Sequence, residues 1–284
     1  MHMVDMRTVG VGFVTCNRPE FFKKCFKSFL PFLHKKNIGD MTKRVVVIND
    51  GQDEIECPDN VHLINHDRSI GVCKSKNEAL RFLMDNPELE HFFLIEDDII
   101  SCIRKVNPFE RYIDTSRETG IQHLMYGYHG PANKTGSKGT ASPRLVVKYK
   151  GDTAIALNQH CVGAFCYYSR KCLEDVGLLD ETFFQAFDHV EHSYRIVKAG
   201  MCPAYWWWPD VAYSYWFLDE IACSEDSSSI RFKDDKEWHE NIKRGAEHFK
   251  DVHGFLPAWN GCVPDTAENT IYNTLKMIKH RWEE

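Results

Sequence analysis

Three consecutive carboxylates, Glu96-Asp97-Asp98, end an apolar run that begins at His91. Leu94 and Ile95 lie in a stretch with no polar alternation, which reads as a strand buried on both faces. Adjacent acids at such a strand end repel one another unless a cation or a network of donors neutralises them. In open α/β sheets, ligands bind beyond the carboxyl ends of the strands. The chemistry this arrangement suits is capture of a hard divalent ion and, with it, a phosphate-bearing ligand. The competing reading is a solvated acidic turn. A second chemical stretch starts at Asp188. There Asp188, Glu191 and Arg195 fall at i, i+3 and i+7 on one helix face, and Val190, Tyr194 and Val197 form another.

The elements that must position these groups alternate over the first hundred residues. A strand over 8–15 ends in Cys16-Asn17-Arg18-Pro19, and Pro19 suits a first helical turn. Phe22, Cys25, Phe26, Phe29, Leu30 and Leu33 then recur at helical spacing. Residues 44–48 form a second apolar run, ending in Asn49-Asp50-Gly51. A third covers 61–65, followed by a loop to Gly71 and a helix over 72–84. The acidic strand is the fourth. Strands alternating with helices predict an α/β protein with a mostly parallel sheet flanked by helices. Further on, 122–129 reads as a strand and 130–151 as a loop entering a hairpin that turns at Gly151-Asp152. Residues 163–168 read as a strand, and Ser169 caps a short helix ending at Gly177. Helices are expected over 188–199, 236–250 and 266–282, the last two forming a C-terminal helical segment. No internal repeat is present.

Bulk composition excludes some partners. With a net charge of −6 over 284 residues, there is no global field to collect nucleic acid or an anionic membrane. No apolar run approaches a membrane span, so no transmembrane segment is expected, and the first residues show no basic-then-apolar leader. Eleven cysteines, odd in number and without a CxxC pair, point to reduced thiols and a cytoplasmic setting, host cytoplasm if the source is viral. One local exception to the acidic balance is the 134–150 loop, with Lys134, Lys138, Arg144, Lys148 and Lys150. It reads either as a lid or as a seat for an anionic acceptor, a glycan or nucleic acid. Its single aromatic, Tyr149, gives base stacking little support. Trp206-Trp207-Trp208 invites sugar stacking, with core packing as the plainer alternative.

Taken together, the strand-end motifs resemble a glycosyltransferase of the GT-A fold, family 2-like. The matching stretches are Val14-Thr15-Cys16-Asn17-Arg18, Val47-Ile48-Asn49-Asp50-Gly51, Asn65 through Gly71 to Lys76-Asn77, and Ile95-Glu96-Asp97-Asp98. Downstream, Gly177 to Phe184 and Asp188 to Arg195 are similar to the family's acceptor-side segment, so the likeness covers roughly residues 8–200. The resemblance implies a GT-A (Rossmann-like nucleotide-diphospho-sugar transferase) catalytic domain over 7–210, with a donor half at 7–100 and an acceptor half at 101–210. The remaining 211–284 would be a C-terminal extension packed on the same domain. It implies transfer of a sugar from a nucleotide-sugar donor, UDP-linked, to a hydroxyl acceptor with inversion, assisted by Mn2+ or Mg2+.

By the same resemblance, Asp98 is the metal ligand, and Glu96 and Asp97 touch sugar and ribose. Thr15, Asn17 and Arg18 lie in the loop that wraps the nucleotide, and Asp50 accepts from the base or ribose. Lys76 stands where the family often places an arginine directed at the diphosphate, a point charge in place of a fork. An acidic pair at the later helix start contains the general base. Here it is written Asp188-His189, which leaves the base open among Asp188, His189 and Glu191, with Asp188 ranked first. Where relatives supply a histidine to the metal ahead of a serine-rich loop (here Ser227-Ser228-Ser229), this chain has Tyr213. That leaves His189, His192 or water for the shell.

Two other functions compete. A nucleotidyltransferase would carry a Gly-rich basic phosphate loop after its first strand, where this chain reads Cys-Asn-Arg-Pro. A non-catalytic glycan- or nucleotide-binding module of the same fold is the other, kept open by His189 and Tyr213.

Overall fold

The computed structural model describes residues 4–34, 38–103, 105–135, 139–184, 186–221, 235–257 and 268–281. Lys138, the serines at 227–229, and residues 266, 267 and 282 of the last expected helix lie outside the described residues. Val9, Val11 and Phe13 alternate with Gly10, Gly12 and Val14 in β1 (Val9–Thr15), which is buried throughout. Then come α1 (Pro19–Phe29), β2 (Val45–Asn49), β3 (His62–Asn65), α2 (Val72–Met84) and β4 (His91–Glu96). A Cβ on Gly12 would lie 2.9 Å from that of Ala79, so the bare backbone is what lets α2 settle on the sheet. On the opposite face α1 buries Phe22, Phe26 and Phe29, with Phe26 edge-on to Phe13 at 5.1 Å.

The chain continues through β5 (Ile99–Ser101), α3 (Pro108–Thr119), β6 (His123–Met125), β7 (Lys134–Thr135), β8 (Thr140–Ala141), β9 (Leu145–Lys148) and β10 (Ala154–Asn158). It ends through β11 (Phe165–Ser169), α4 (Arg170–Val176), α5 (Asp188–Lys198), β12 (Trp208–Val211), β13 (Leu218–Glu220), α6 (Asp235–His253) and α7 (Glu268–Arg281). The central sheet has six strands in the order β3-β2-β1-β4-β11-β6. β3, β2, β1 and β4 are parallel, while β11 is antiparallel to both of its neighbours, so β6 points the same way as β4. The molecule is thus α/β with a mostly parallel sheet flanked by helices. β9, β10 and β12 form a separate antiparallel sheet, and the hairpin expected at Gly151-Asp152 joins β9 to β10.

Two features of this topology matter for chemistry. The chain passes from β1 outward to β2 and β3, then returns to place β4 on the other side of β1. That reversal opens the ligand crevice of such sheets at the C-terminal ends of β1 and β4. Register supplies the second feature, since Thr15 pairs with Asn49 and Val14 with Glu96. The ends carrying Thr15, Asp50 and the three acids therefore share one edge.

Beneath α5, His123 is buried with Nδ1 2.9 Å from the Tyr167 carbonyl and Nε2 2.9 Å from Ser193 Oγ. Burial lowers its pKa from 6.5 to about 4. A ring neutral in the folded state and protonated in the unfolded one stabilises above pH ~6.5, and that contribution is lost as pH falls toward ~4. His123→Gln is accordingly expected to shrink the drop in unfolding free energy between pH ~7 and ~4.5 by about 2 kcal/mol. Urea melts at the two pH values check this, and an unchanged drop contradicts it.

Candidate active site

Arg18 is the residue just before α1, held at the mouth of the β1–β4 crevice by Pro19, which starts the helix. Its guanidinium forms an ion pair with Asp97 and lies 3.4 Å from Asp98 Oδ2. Thr15 Oγ1 donates to Asp97 Oδ2 at 2.6 Å. Both aspartates are buried, with side chains only 1% and 4% exposed. Burial pushes Asp97 up to about 7 against the pull of Arg18. Asp98 feels the same burial, yet His129 and then Arg18 bring it below the usual carboxylate range.

His129 is a candidate site residue absent from the sequence reading. Its Nε2 stands 3.2 Å from Asp98 Oδ2, off hydrogen-bond alignment. Two anchors bracket it: Gly127 N donates to Asp210 Oδ2 at 2.9 Å, and Gly130 N to Glu220 Oε2 at 2.6 Å. Asp210, buried, also accepts from Tyr112, Ser214 and the Val211 backbone, tying α3 to β12. The sequence held only part of the signal, an expected strand over 122–129 with His129 at its end, because the strand's direction is set in the assembled sheet. His129 follows a strand that runs parallel to β4, so it emerges on the same edge. Tyr213, the residue at the expected histidine position, is 42% exposed. His192 is buried with Nε2 2.8 Å from the Gly177 carbonyl.

Does this cluster suit a divalent ion? Asp98 Oδ1 is buried and accepts no hydrogen bond, and neither does His129 Nε2 make one. An orphaned carboxylate oxygen beside an orphaned imidazole nitrogen is a fitting donor pair. Among the described residues no group of three His, Cys, Asp or Glu is gathered to hold a metal. Were an ion bound here, this pair would be the protein's share of its shell, with phosphate oxygens and water to complete it.

Four of the expected site residues are engaged by the protein's own groups instead. Asp50 accepts from Ser69 Oγ at 2.7 Å, Ile70 N at 2.8 Å and Gly71 N at 3.1 Å, and faces His66 Nδ1 at 2.7 Å. Its oxygens are filled by the loop they shape, leaving no acceptor for a base or ribose in this arrangement. Asn17, at a left-handed φ of 54°, accepts from the Gln52 backbone at 2.9 Å and braces the Asp50 turn. Glu191 is buried against Arg195 Nε at 2.8 Å and His253 Nε2 at 3.0 Å, which fastens α6 onto α5 and removes Glu191 from the candidates for the base. Lys76, expected at a diphosphate, has its Nζ 2.7 Å from Glu96, 3.6 Å from Asp188 and 3.2 Å from the Gly163 carbonyl.

Lys76 thereby joins the strand-end acids to the start of α5. Burial works against its cation, but Glu96 and Asp188 raise its pKa above the ordinary lysine value. Lys76→Met would leave both carboxylates facing each other without a counter-charge, at an expected cost of about 3 kcal/mol. Chemical denaturation tests this, and a loss below ~1 kcal/mol would contradict it. Asp188 is held well below the usual carboxylate range by Lys76 and His189 despite full burial. Its Oδ1 lies 3.2 Å from His189 Nδ1. The His189 side chain is 26% exposed, against 2% for Asp188. Phe187, just before α5, takes φ 67°, a left-handed geometry costly for a bulky residue, and turns this pair toward the crevice edge.

Beside His129 opens a cleft of about 500 Å³, lined by Tyr126, Tyr128, Lys134, Tyr215 and Glu220 among others. Lys134 is paired with Glu220 at 2.7 Å, so the charge that suggested a polyanion seat is neutralised at this end of the loop. Trp208 is buried in the core, and the Trp207 ring is covered by the Arg144 guanidinium at 3.9 Å. Neither offers a face for a sugar. Exposed aromatic surface lies instead at Tyr213, Tyr215 and Trp216, with Tyr213 and Trp216 stacked at 5.0 Å.

No family model matches the chain. No curated protein matches it either. Solved structures similar to it in fold include GalNAc-T7 with UDP, GalNAc and Mn2+, at 12% identity and a TM-score of 0.47 over 66% of this chain. The chain spans 40% of the length of that structure. Another is the catalytic domain of Drosophila beta1,4-galactosyltransferase 7 with xylobiose, at 10% identity and a TM-score of 0.46, covering 83% of this chain and 80% of that one. A mutant of the same Drosophila enzyme with manganese, UDP-Gal and xylobiose matches at 11% identity and a TM-score of 0.45, covering 82% and 79%.

Proposed function

We propose that this chain is a glycosyltransferase of the GT-A type, moving a sugar from a UDP-linked donor to the hydroxyl of a glycan acceptor. The observation that carries the reading is the pair Asp97–Asp98 at the β1–β4 crevice, with one buried Asp98 oxygen unpartnered and His129 beside it. Asp98 and His129 would hold a divalent cation, Mn2+ or Mg2+, whose charge would offset that of the departing diphosphate. Thr15 and Arg18 fix Asp97, and Arg18 would be the cation offered to the diphosphate. Glu96, 27% exposed, is the acid able to meet a sugar hydroxyl. Asp50, Asn17 and Lys76 act as positioning residues through the loops and carboxylates they hold.

His189 is the general base of this reading, with Asp188 orienting its ring through Nδ1. A buried carboxylate paired with lysine binds protons weakly, whereas the partly exposed imidazole can reach an acceptor hydroxyl. The acceptor ring would lie in the cleft against Tyr215, whose exposed aromatic ring suits the CH face of a pyranose. Free thiols at the nine described cysteines fit a reducing, cytoplasmic setting. No described helix is long and apolar enough to cross a membrane. The test is incubation with a panel of nucleotide sugars and glycan acceptors with Mn2+, scoring nucleotide release and the anomer formed. Release from a UDP-sugar that depends on both acceptor and metal supports the reading; no release from any donor overturns it.

A further inference from the structure

We propose that Arg18 is the resident counter-cation of the Asp97–Asp98 pair, and that it competes with a divalent ion for this seat until a diphosphate draws it away. The inference rests on the donor-site reading above and adds to it an order of loading. Two adjacent buried carboxylates cannot both stay ionised without nearby positive charge. Arg18 supplies that charge from the neighbouring strand end. Its Nε donates to Asp97 Oδ2 at 3.2 Å, and its terminal nitrogens approach Asp98 Oδ2 at 3.4 and 3.5 Å. These approaches to Asp98 fall on Oδ2, which also faces His129, while Oδ1 remains buried without a hydrogen bond.

The charge count then sets the order. With both carboxylates ionised and His129 neutral, as a metal-ligating imidazole must be, the two acids and the guanidinium leave one negative charge. A divalent ion on Asp98 would turn this into a net positive cluster in a desolvated pocket, with the guanidinium held against the ion. An arriving diphosphate reverses the balance, because its oxygens accept the fork of Arg18 in place of the aspartates. Metal and nucleotide therefore load together, and metal alone binds weakly. Arg18 is the residue that imposes this coupling.

The test reads Mn2+ binding alone, by calorimetry and by the electron paramagnetic resonance of free Mn2+, on the full chain without nucleotide. Arg18→Gln is expected to bind Mn2+ at least about tenfold more tightly than wild type, and Arg18→Lys to stay near wild type because the charge is kept. Adding Asp98→Asn to Arg18→Gln should abolish the gain. Equal or weaker binding by Arg18→Gln, no binding by either protein, or a gain that survives Asp98→Asn would overturn the proposal. Removing Arg18 also leaves two buried carboxylates uncompensated, so thermal unfolding serves as a second readout. Mn2+ should raise the melting temperature of Arg18→Gln more than that of wild type, and an equal rise counts against the proposal. Wild-type UDP binding separates the two readings. UDP binding with no gain in Arg18→Gln removes only the Arg18 role. A gain without UDP binding leaves a cation seat and removes the transferase.

Discussion

Asp98→Asn is expected to weaken Mn2+-dependent UDP binding by at least ~100-fold while the protein stays folded. Asparagine keeps the shape of the side chain but loses the charge and one acceptor oxygen. The loss falls on the oxygen that accepts no hydrogen bond in the fold, so few internal contacts suffer. Arg18 and Thr15 still hold Asp97, and the Asp98 carbonyl still accepts from Ile221 N at 2.8 Å. The β5–β13 connection is thus preserved. Calorimetry with Mn2+ present measures the effect, and circular dichroism confirms the fold. Binding equal to wild type would remove Asp98 from the metal site.

His189→Gln should have the opposite signature. Donor binding is expected to stay within a few-fold of wild type, while transfer falls about 1,000-fold, the scale of a lost general base. Asp188→Asn should follow it in direction, because an amide at Oδ1 no longer fixes the ring through Nδ1. It also leaves Lys76 with Glu96 as its remaining carboxylate partner. A single-turnover assay with saturating donor separates these steps. Transfer at near wild-type rate in His189→Gln would place the base elsewhere, and loss of donor binding in the same variant would make His189 part of the donor pocket.

The sheet and most of its elements could be read from the chain because their signals are local. The helix expected over 72–84 and the hairpin at Gly151-Asp152 rest on periodicity and turn chemistry, both written in neighbouring residues. The acidic strand end could also be read, since an apolar run broken by three acids is conspicuous without any partner. What local pattern could not give was the partner that each polar side chain finds. Lys76 shares its helix face with Cys73, Leu80 and Leu83, all buried, so its place in an apolar stripe already pointed inward. Its partners, Glu96 and Asp188, come from strands and helices far along the chain. Asp50 looked open because the backbone donors of residues 70 and 71 that fill it belong to a loop twenty residues on.

Glu191 shows the same limit more sharply. With Arg195 it forms an ordinary i,i+4 pair, and only His253, 62 positions later, shows that the pair is buried under α6. His129 was missed for another reason. The resemblance points to the position of Tyr213 for a metal histidine. The topology instead brings a different strand end, that of β6, to the same edge. Strand direction in the assembled sheet decides this, and β6 owes its direction to the antiparallel β11 between it and β4.

In the proposed function the β1–β4 crevice binds a nucleoside diphosphate together with a divalent ion. Calorimetric titration of UDP into the wild-type chain, once with Mn2+ and once with chelator, tests it most directly. Binding with Mn2+ is expected to weaken at least ~100-fold with chelator. Equal binding under both conditions, or none under either, would contradict it.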